Sequence, residues 1–183
     1  MSETWFWADT HLGHANIMKY CNRPFQSVEE MDEILVARWN ERVSNKDKIY
    51  FLGDFMFTRR KGDPDAMLDR LNGQKFLIIG NHDSKPTKNA KGWNATYRLQ
   101  KVVVDNQTII LCHYPMFSWQ GSCHGSWMLH GHCHGTLQTS SNYSGIDFDR
   151  LLLKDVGVDV CPNPLSFGEI RSEMNAKESN LAI

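Results

Sequence analysis

The sequence lacks the features of several protein classes. No apolar run approaches the ~20 residues that a membrane-spanning helix requires, so we expect no contact with a membrane. No basic segment followed by an apolar signal core opens the chain, which favours a cytoplasmic protein. The net charge of -1 at pH 7 lacks the basic excess of a broad, non-specific nucleic-acid groove, although it allows a small basic patch.

The five cysteines include no C-x-x-C pair. Their odd number predicts neither a disulfide framework nor a zinc ribbon, so we expect reduced thiols. Cys133 lies between two histidines in the run GHCH. In an alternating strand end its side chain points away from both neighbours, and we do not count it as a metal ligand.

The length and composition predict one globular domain. The chain has 183 residues, of which 41% are apolar, and it contains no internal repeat or low-complexity segment. We place the domain at residues 1–175 and expect a frayed tail over residues 176–183.

The first half of the chain alternates between strand and helix patterns. Short apolar runs predict buried strands, and apolar residues at helical spacing, with Ser27 and Glu30 as a capping box, predict a helix. The predicted strands span residues 4–9, 48–54 and 75–83, and the predicted helices span residues 27–43 and 63–73. This order favours an α/β fold with parallel strands joined by helical crossovers.

The second half of the chain has a different pattern. It predicts a hairpin that turns near residues 105–107, and then a strand over residues 127–135 that ends in histidines. A last strand over residues 155–160 and a capped helix over residues 166–174 follow.

Side chains with metal-ligand chemistry follow five of the predicted strands. They are Asp9 with His11, Asp54, the run Asn81-His82-Asp83, His113, and His132 with His134. Each of them alone is explained as a turn residue, a helix cap or a core histidine. Because ligands of open α/β sheets bind at the carboxyl ends of strands, the five strand ends together predict one shared site.

The chemistry of these side chains indicates which metals they suit. The candidate metal ligands are Asp9, His11, Asp54, Asn81, His113, His132 and His134. A mixed nitrogen and oxygen set suits Mn²⁺, Fe or Zn²⁺ better than Ca²⁺ or Mg²⁺. One catalytic zinc takes three protein ligands, so this larger set fits two ions that share a carboxylate, an arrangement used for displacement at phosphorus.

The motifs themselves resemble those of a known family. The series D-T-H (9–11), G-D (53–54), G-N-H-D (80–83), H (113) and G-H-C-H (131–134) resembles the calcineurin-like metallophosphoesterases, and the first residues are similar to those of small bacterial and phage members. The resemblance implies the calcineurin-like phosphoesterase fold, a four-layer α/β/β/α sandwich of two mixed β-sheets flanked by helices. It also implies two divalent metal ions, with Mn²⁺ favoured and Fe, Zn or Ni as alternatives, and a bridging hydroxide that attacks phosphorus.

The resemblance also assigns roles to individual residues. The implied ligands of the first metal are Asp9, His11, Asp54 and His134. Asp54 bridges to the second metal, whose remaining implied ligands are Asn81, His113 and His132. His82 is implied as the general acid that protonates the leaving oxygen, and Asp83 as the residue that orients it.

Three features lie outside this shared pattern. The second motif continues with apolar residues where many members carry a charge, and Arg59, Arg60 and Lys61 follow as either a phosphate contact or a solvated loop. His14 either contacts the substrate or caps the following helix. Arg23 either binds phosphate through its two-pronged guanidinium or forms a structural salt bridge. We take His14 and Arg23 as candidate substrate-binding residues.

Three functions remain to be compared. The near-neutral charge favours a phosphodiesterase or phosphatase acting on a nucleotide or other small phosphoester. A metal-dependent nuclease on single-stranded DNA or RNA is the alternative, but it needs a basic track, and the sequence offers only the clusters at residues 59–61 and 85–91. The complete ligand set argues against a non-catalytic interaction module. The oligomeric state is left open.

Overall fold

Two mixed β-sheets form the centre of the fold. The computed structural model describes residues 2–57, 63–141 and 144–181, without the side chains of residues 149 and 178–181. The strands are β1 (Thr4–Trp7), β2 (Lys48–Phe51), β3 (Gln74–Ile78), β4 (Ala95–Tyr97), β5 (Leu99–Val104), β6 (Gln107–Cys112), β7 (Trp127–His130), β8 (Leu153–Asp155) and β9 (Leu165–Ser166). The helices are α1 (Ile17–Tyr20), α2 (Val28–Arg42), α3 (Pro64–Asp69), α4 (Lys85–Lys88) and α5 (Phe167–Leu181).

The strand order confirms the predicted α/β class. In the first sheet, β4-β3-β2-β1-β9, the first four strands are parallel and β9 is antiparallel. In the second sheet, β5-β6-β7-β8, only the β5–β6 pair is antiparallel. The predicted hairpin is this pair, and its turn is made by Asp105 and Asn106, whose φ angles are 44° and 66°. Two residues with positive φ match the twist of the flanking strands.

The helix starts follow the local sequence. Ser27 accepts a hydrogen bond from the N–H of Glu30 at 3.1 Å and so caps α2. The Glu30 carboxylate reaches back to the N–H of Gln26, one residue earlier than in a standard capping box. At α3, Asp63 is the cap and Pro64 occupies the first turn. The buried side chains of α2 are Met31, Leu35, Val36 and Trp39.

Two apolar cores lie on the opposite faces of the first sheet. Trp7 faces α2 and packs edge-on against Trp39, with ring centroids 6.2 Å apart. Its neighbour Phe6 belongs to the core between the two sheets, because successive strand residues point to opposite faces. Phe167 of α5 joins that second core by stacking on Trp127. The two sheets are therefore packed together with helices outside them.

The C-terminal part differs from the prediction in two places. The strand predicted over residues 155–160 is wrong, because β8 ends at Asp155 and a turn follows in which the carbonyl of Gly157 accepts two backbone N–H groups. Helix α5 extends to Leu181, into the segment 176–183 that we expected to be frayed. Lys177 donates to the carbonyls of Leu151 and Leu153 and holds this extension.

Two short strands, β4 and β9, were not predicted because two or three residues show no periodicity. Each forms an edge of the first sheet. Within the described ranges, none of the helices is both long and apolar enough to cross a bilayer.

Candidate metal centre

The loops that follow β1 and β2 are joined by backbone hydrogen bonds. The N–H of Asp9 donates to the carbonyl of Gly53, and the N–H of His11 donates to that of Asp54, both at 3.0 Å. Because β1 and β2 are parallel neighbours, their carboxyl ends lie at the same edge. The hydrogen bonds then hold Asp9, His11 and Asp54 close together.

Five of the seven candidate ligands have a left-handed backbone. Their φ angles are 60° at Asp9, 48° at His11, 57° at Asp54, 71° at His132 and 48° at His134. Such values are uncommon outside glycine, and strained residues of this kind concentrate at functional sites. Strand β1 ends at Trp7, before the predicted end at residue 9, and the left-handed backbone of Asp9 and His11 aims both side chains.

Asp9, His11 and His134 form the first group of ligand atoms, which lie within 4.8 Å of one another. Oδ1 of Asp9 and Nε2 of His11 are buried and have no hydrogen-bond partner among the described residues. Burial raises the pKa of Asp9 to about 8 and lowers that of His11 to about 3. A neutral imidazole and a carboxylate that lacks compensating charge fit a bound cation.

A second group forms around Asn81. His113 donates its Nδ1–H to the carbonyl of Leu52 at 2.7 Å, which leaves Nε2 facing the Asn81 Oδ1 at 2.9 Å. The same Asn81 oxygen lies 3.0 Å from Nδ1 of His132. An amide oxygen between two imidazole nitrogens is the donor set of a transition-metal site.

Asp54 connects the two groups. Its Oδ2 lies 3.5 Å from Nε2 of His11 and 3.5 Å from Nε2 of His113. Burial alone would raise the pKa of Asp54, but the hydrogen bond and charge of His113 bring it below its usual value. An ionised oxygen at equal distance from both groups fits the bridging role implied by the resemblance.

The site also contains Asp159, which is not among the residues predicted from the sequence. Its Oδ2 accepts a hydrogen bond from Nδ1 of His134 at 2.7 Å, and both of its oxygens accept from Arg23 at 2.8 Å. Burial would raise the pKa of Asp159, but these two partners lower it to about 2. Because its oxygens are already engaged, we assign its grouping with Cys21 and His134 to hydrogen bonding rather than to a metal.

Arg23 has no donor left for a substrate phosphate. Two of its five N–H groups bind Asp159, and two more bind the carbonyls of Asp9 and Thr10 at 2.7 and 2.8 Å. The last points at the sulfur of Met31 at 3.6 Å. These contacts favour the alternative of a structural salt bridge for Arg23 over the substrate-binding role.

Asp83 binds backbone groups of two loops. Its buried carboxylate accepts the backbone N–H groups of Gly80, Asp54 and Phe55 at 2.7, 3.1 and 2.9 Å. These bonds tie the loop after β3 to the loop after β2, and the predicted role of orienting His82 stays a prediction. The exposed ring of His82 lies outside this network.

An open cavity of about 550 Å³ adjoins the first group. Its lining includes His11, His14, Tyr20, His82, His132 and His134, and no lysine or arginine of the described residues lines it. The His82 ring centroid lies 5.5 Å from that of His11. We call this cavity the cleft.

His14 faces the cleft and stacks on Phe57 with ring centroids 4.5 Å apart. The cap of α1 is Asn16, and no side chain caps that helix, so the helix-cap alternative for His14 is wrong. Its Nδ1 is buried without a partner in the described part of the chain, and burial lowers its pKa.

Of the two basic clusters, only the one at residues 85–91 lies within the described residues. Arg59, Arg60 and Lys61 lie outside the described residues. Lys85 and Lys91 are exposed and are not among the residues that line the cleft.

Two glycines leave room for the carboxylates. A Cβ on Gly131 would lie 2.5 Å from Oδ2 of Asp9, the oxygen that also accepts the N–H of His132 at 3.0 Å. A Cβ on Gly80 would overlap Oδ1 of Asp54. The glycines of the GNHD and GHCH motifs therefore allow the carboxylates of Asp54 and Asp9 to approach the backbone closely.

Comparisons with known proteins agree with this geometry. The family model for calcineurin-like phosphoesterases matches residues 3–176. An uncharacterised protein of Methanocaldococcus jannaschii is 38% identical over 135 residues, which cover 73% of this chain and 70% of that protein. The gene 66 protein of Mycobacterium phage D29 is 28% identical over 210 residues, covering 99% of this chain and all (100%) of that protein.

A solved structure shows the same fold. A protein of unknown function from Aquifex aeolicus matches with a TM-score of 0.74 and 20% identity, covering 94% of this chain and 99% of that one. At this identity the likeness shows the fold alone.

Proposed function

The chain belongs to the calcineurin-like phosphoesterases, metal-dependent hydrolases of phosphoester bonds, and from this premise we propose that it uses two divalent ions to hydrolyse a small phosphoester. The observation that carries the proposal is the position of Asp54, whose Oδ2 lies 3.5 Å from both His11 and His113. It joins two groups of acceptors, one of which includes buried atoms that have no hydrogen-bond partner among the described residues.

Each group would hold one ion, with Mn²⁺ the first choice for a mixed nitrogen and oxygen set. The proposed ligands of the first ion are Asp9, His11, Asp54 and His134. The proposed ligands of the second ion are Asp54, Asn81, His113 and His132. When bound, such an ion pair neutralises the charge of a phosphate and activates water at neutral pH.

Two histidines of the cleft would act on the substrate. The exposed His82 lies beside His11, where its ring can carry a proton to the leaving oxygen. His14 presents a ring held by Phe57 to the same cleft, and we propose that it contacts a phosphate oxygen.

The cleft favours a nucleotide-sized substrate. Its volume of about 550 Å³ suits a small molecule. Tyr20, which is 74% exposed, lines it with its ring 6.4 Å from that of His14, so a base or another planar group can stack there. The lack of lysine and arginine in the described lining favours this substrate over a polymeric backbone.

The first experiment tests for the metal-dependent enzyme. The full chain is stripped with a chelator, reloaded with Mn²⁺, Zn²⁺, Fe²⁺ or Mg²⁺, and assayed on 4-nitrophenyl phosphate and bis(4-nitrophenyl) phosphate. We expect activity with Mn²⁺, lost by at least ~100-fold in Asp54→Asn and kept in Asp105→Asn, a matched change at the hairpin turn. Equal activity of wild type and Asp54→Asn, or none with any metal, contradicts the proposal.

The second experiment separates small substrates from nucleic acid. The panel contains nucleoside monophosphates, 2′,3′- and 3′,5′-cyclic nucleotides, dinucleotides and single-stranded oligonucleotides. Preference for the small molecules supports the proposal, with a raised KM in Tyr20→Ala for substrates that carry a base. Oligonucleotide binding that weakens steeply with salt would instead support the nuclease.

A further inference from the structure

Arg23 and Asp159 contact Asp9, His134 and the residue before His11, but they are not proposed ligands themselves. The Asp159 carboxylate accepts a hydrogen bond from Nδ1 of His134 at 2.7 Å. Arg23 donates to the carbonyl of Asp9 at 2.7 Å and to that of Thr10, the residue that precedes His11, at 2.8 Å. The two side chains are joined by two hydrogen bonds of 2.8 Å.

We propose that the Arg23–Asp159 pair is a positioning unit for the first metal. This inference rests on the metal centre of the proposed function. Asp159 fixes the tautomer and the ring orientation of His134, and Arg23 fixes Asp159 relative to the backbone that carries Asp9 and His11.

The tautomer argument follows from the hydrogen bond to Asp159. A carboxylate only accepts hydrogen bonds when ionised, so the hydrogen of His134 lies on Nδ1. Nε2 then carries the lone pair and is the nitrogen that can face Asp9 and His11. A carboxylate behind a metal-binding histidine is a general device for raising the ligand's basicity, and its loss costs about 10–100-fold in metal affinity.

Arg23 acts on the two other ligands through their backbone. Asp9 and His11 have positive φ angles of 60° and 48°, which cost energy unless the surroundings hold them. Arg23 is 8% exposed and binds two carbonyls of this segment. The guanidinium of Arg23 therefore holds the strained segment around Asp9 and His11 in a fixed position relative to Asp159, the hydrogen-bond partner of His134.

The test measures metal binding rather than turnover. Mn²⁺ is titrated into the metal-free full chain by calorimetry for wild type, Asp159→Ala, Asp159→Asn and Arg23→Met. The control is Asp47→Asn, a buried aspartate that also accepts backbone N–H groups but precedes β2, at the opposite end of the sheet from the site.

We expect Asp159→Ala to weaken one of the two Mn²⁺ sites by about 10–100-fold. Asp159→Asn should lose less Mn²⁺ affinity, because the amide oxygen still accepts a hydrogen bond from Nδ1 of His134. Arg23→Met should weaken Mn²⁺ binding at the same site. Asp47→Asn should lower stability without changing Mn²⁺ affinity. Long-range ¹H–¹⁵N spectra of the histidine rings should show a protonated Nδ1 on His134 in wild type and a mixture of tautomers in Asp159→Ala.

Two outcomes overturn the inference alone. One is a folded Asp159→Ala that keeps wild-type Mn²⁺ affinity and a single His134 tautomer. The other is an equal loss of affinity in Asp47→Asn, which would mean that general destabilisation is the cause. If Asp159→Ala does not fold, Arg23→Met decides: a folded Arg23→Met that keeps wild-type Mn²⁺ affinity overturns the inference. Wild type that binds no Mn²⁺ overturns the proposed function as well.

Discussion

Asp83 accepts a hydrogen bond from the backbone N–H of Asp54 at 3.1 Å. It therefore holds the backbone of the proposed bridging ligand and does not line the cleft itself. The same carboxylate accepts the N–H groups of Gly80 and Phe55. Three backbone donors from two loops are therefore satisfied by one side chain that is 3% exposed. The GNHD motif contributes to the site through this support as well as through Asn81 and His82.

Replacing Asp83 by alanine should destabilise the protein strongly. Three buried N–H groups would lose their acceptor, and each unsatisfied group costs about 1–3 kcal/mol before relaxation. We expect a loss of about 3 kcal/mol in the free energy of unfolding, measured by urea denaturation. The exposed Asp69→Ala serves as the control and should change stability by less than about 0.5 kcal/mol. A similar small change in Asp83→Ala would show that water replaces the carboxylate.

Gly131→Ala should impair the metal centre. The new Cβ would lie 2.5 Å from Oδ2 of Asp9 and 2.8 Å from Cβ of Ala8, so the Asp9 carboxylate must move. We expect Mn²⁺ affinity to fall by about 10-fold or more. Gly168→Ala is the matched control, since only Ser166 Oγ lies within 4 Å of the added Cβ, at 3.9 Å. Equal affinity of the two variants contradicts the proposed role of Asp9.

The locations of the ligand loops could be predicted because they depend on local sequence. Apolar runs of four to six residues marked β1, β2, β3, β6 and β7, and the polar side chains that follow each run were therefore placed at strand ends. The conformation of the ligands could not be predicted. The positive φ angles of Asp9 and His11 are held by hydrogen bonds to the loop after β2 and by Arg23, and these are tertiary contacts.

The Arg23–Asp159 pair could not be predicted from the sequence, because 136 residues separate its members. Asp159 does follow an apolar run, as the other site residues do, and this was the available signal. It was overlooked because the alternating pattern of residues 155–160 predicts a strand, whereas the turn after β8 places Asp159 against His134. An arginine is equally suited to a salt bridge and to a substrate contact, so the sequence could not distinguish these roles for Arg23. Only its neighbours in the fold distinguish them.

Asp47 should make stability depend on acid pH at the end of the sheet opposite the site. Burial would raise the pKa of Asp47, but the N–H groups of Glu3 and Ser44 bind its carboxylate and lower the pKa from 3.8 to about 2. A lowered pKa means that the folded state favours the ionised form. Its contribution is therefore complete above about pH 4 and is lost as the pH falls towards 2.

Asp47→Asn should lose this contribution at neutral pH, by about 1–2 kcal/mol. The gap in unfolding free energy between wild type and variant should narrow between pH 4 and pH 2, as measured by urea denaturation at each pH. A constant gap over this range would show that the hydrogen bonds do not depend on the charge.

His82→Ala should reveal proton transfer through the choice of leaving group. A 4-nitrophenolate leaves without a proton, whereas the alkoxide of a nucleoside needs one. We expect kcat to fall by ~10²–10⁴-fold for a nucleotide ester and much less for bis(4-nitrophenyl) phosphate. Mn²⁺ affinity should stay unchanged, because His82 belongs to neither ligand group.

His124→Ala is the control for this experiment, since His124 is exposed and does not line the cleft. An equal loss for both substrates would mean that His82 binds the phosphate instead of protonating the leaving oxygen. A parallel loss of Mn²⁺ affinity in His82→Ala would indicate that His82 is a metal ligand. Only a loss that grows with the basicity of the leaving group fits the position of His82, on the cleft side of His11 and free of the hydrogen bonds that hold Asp83.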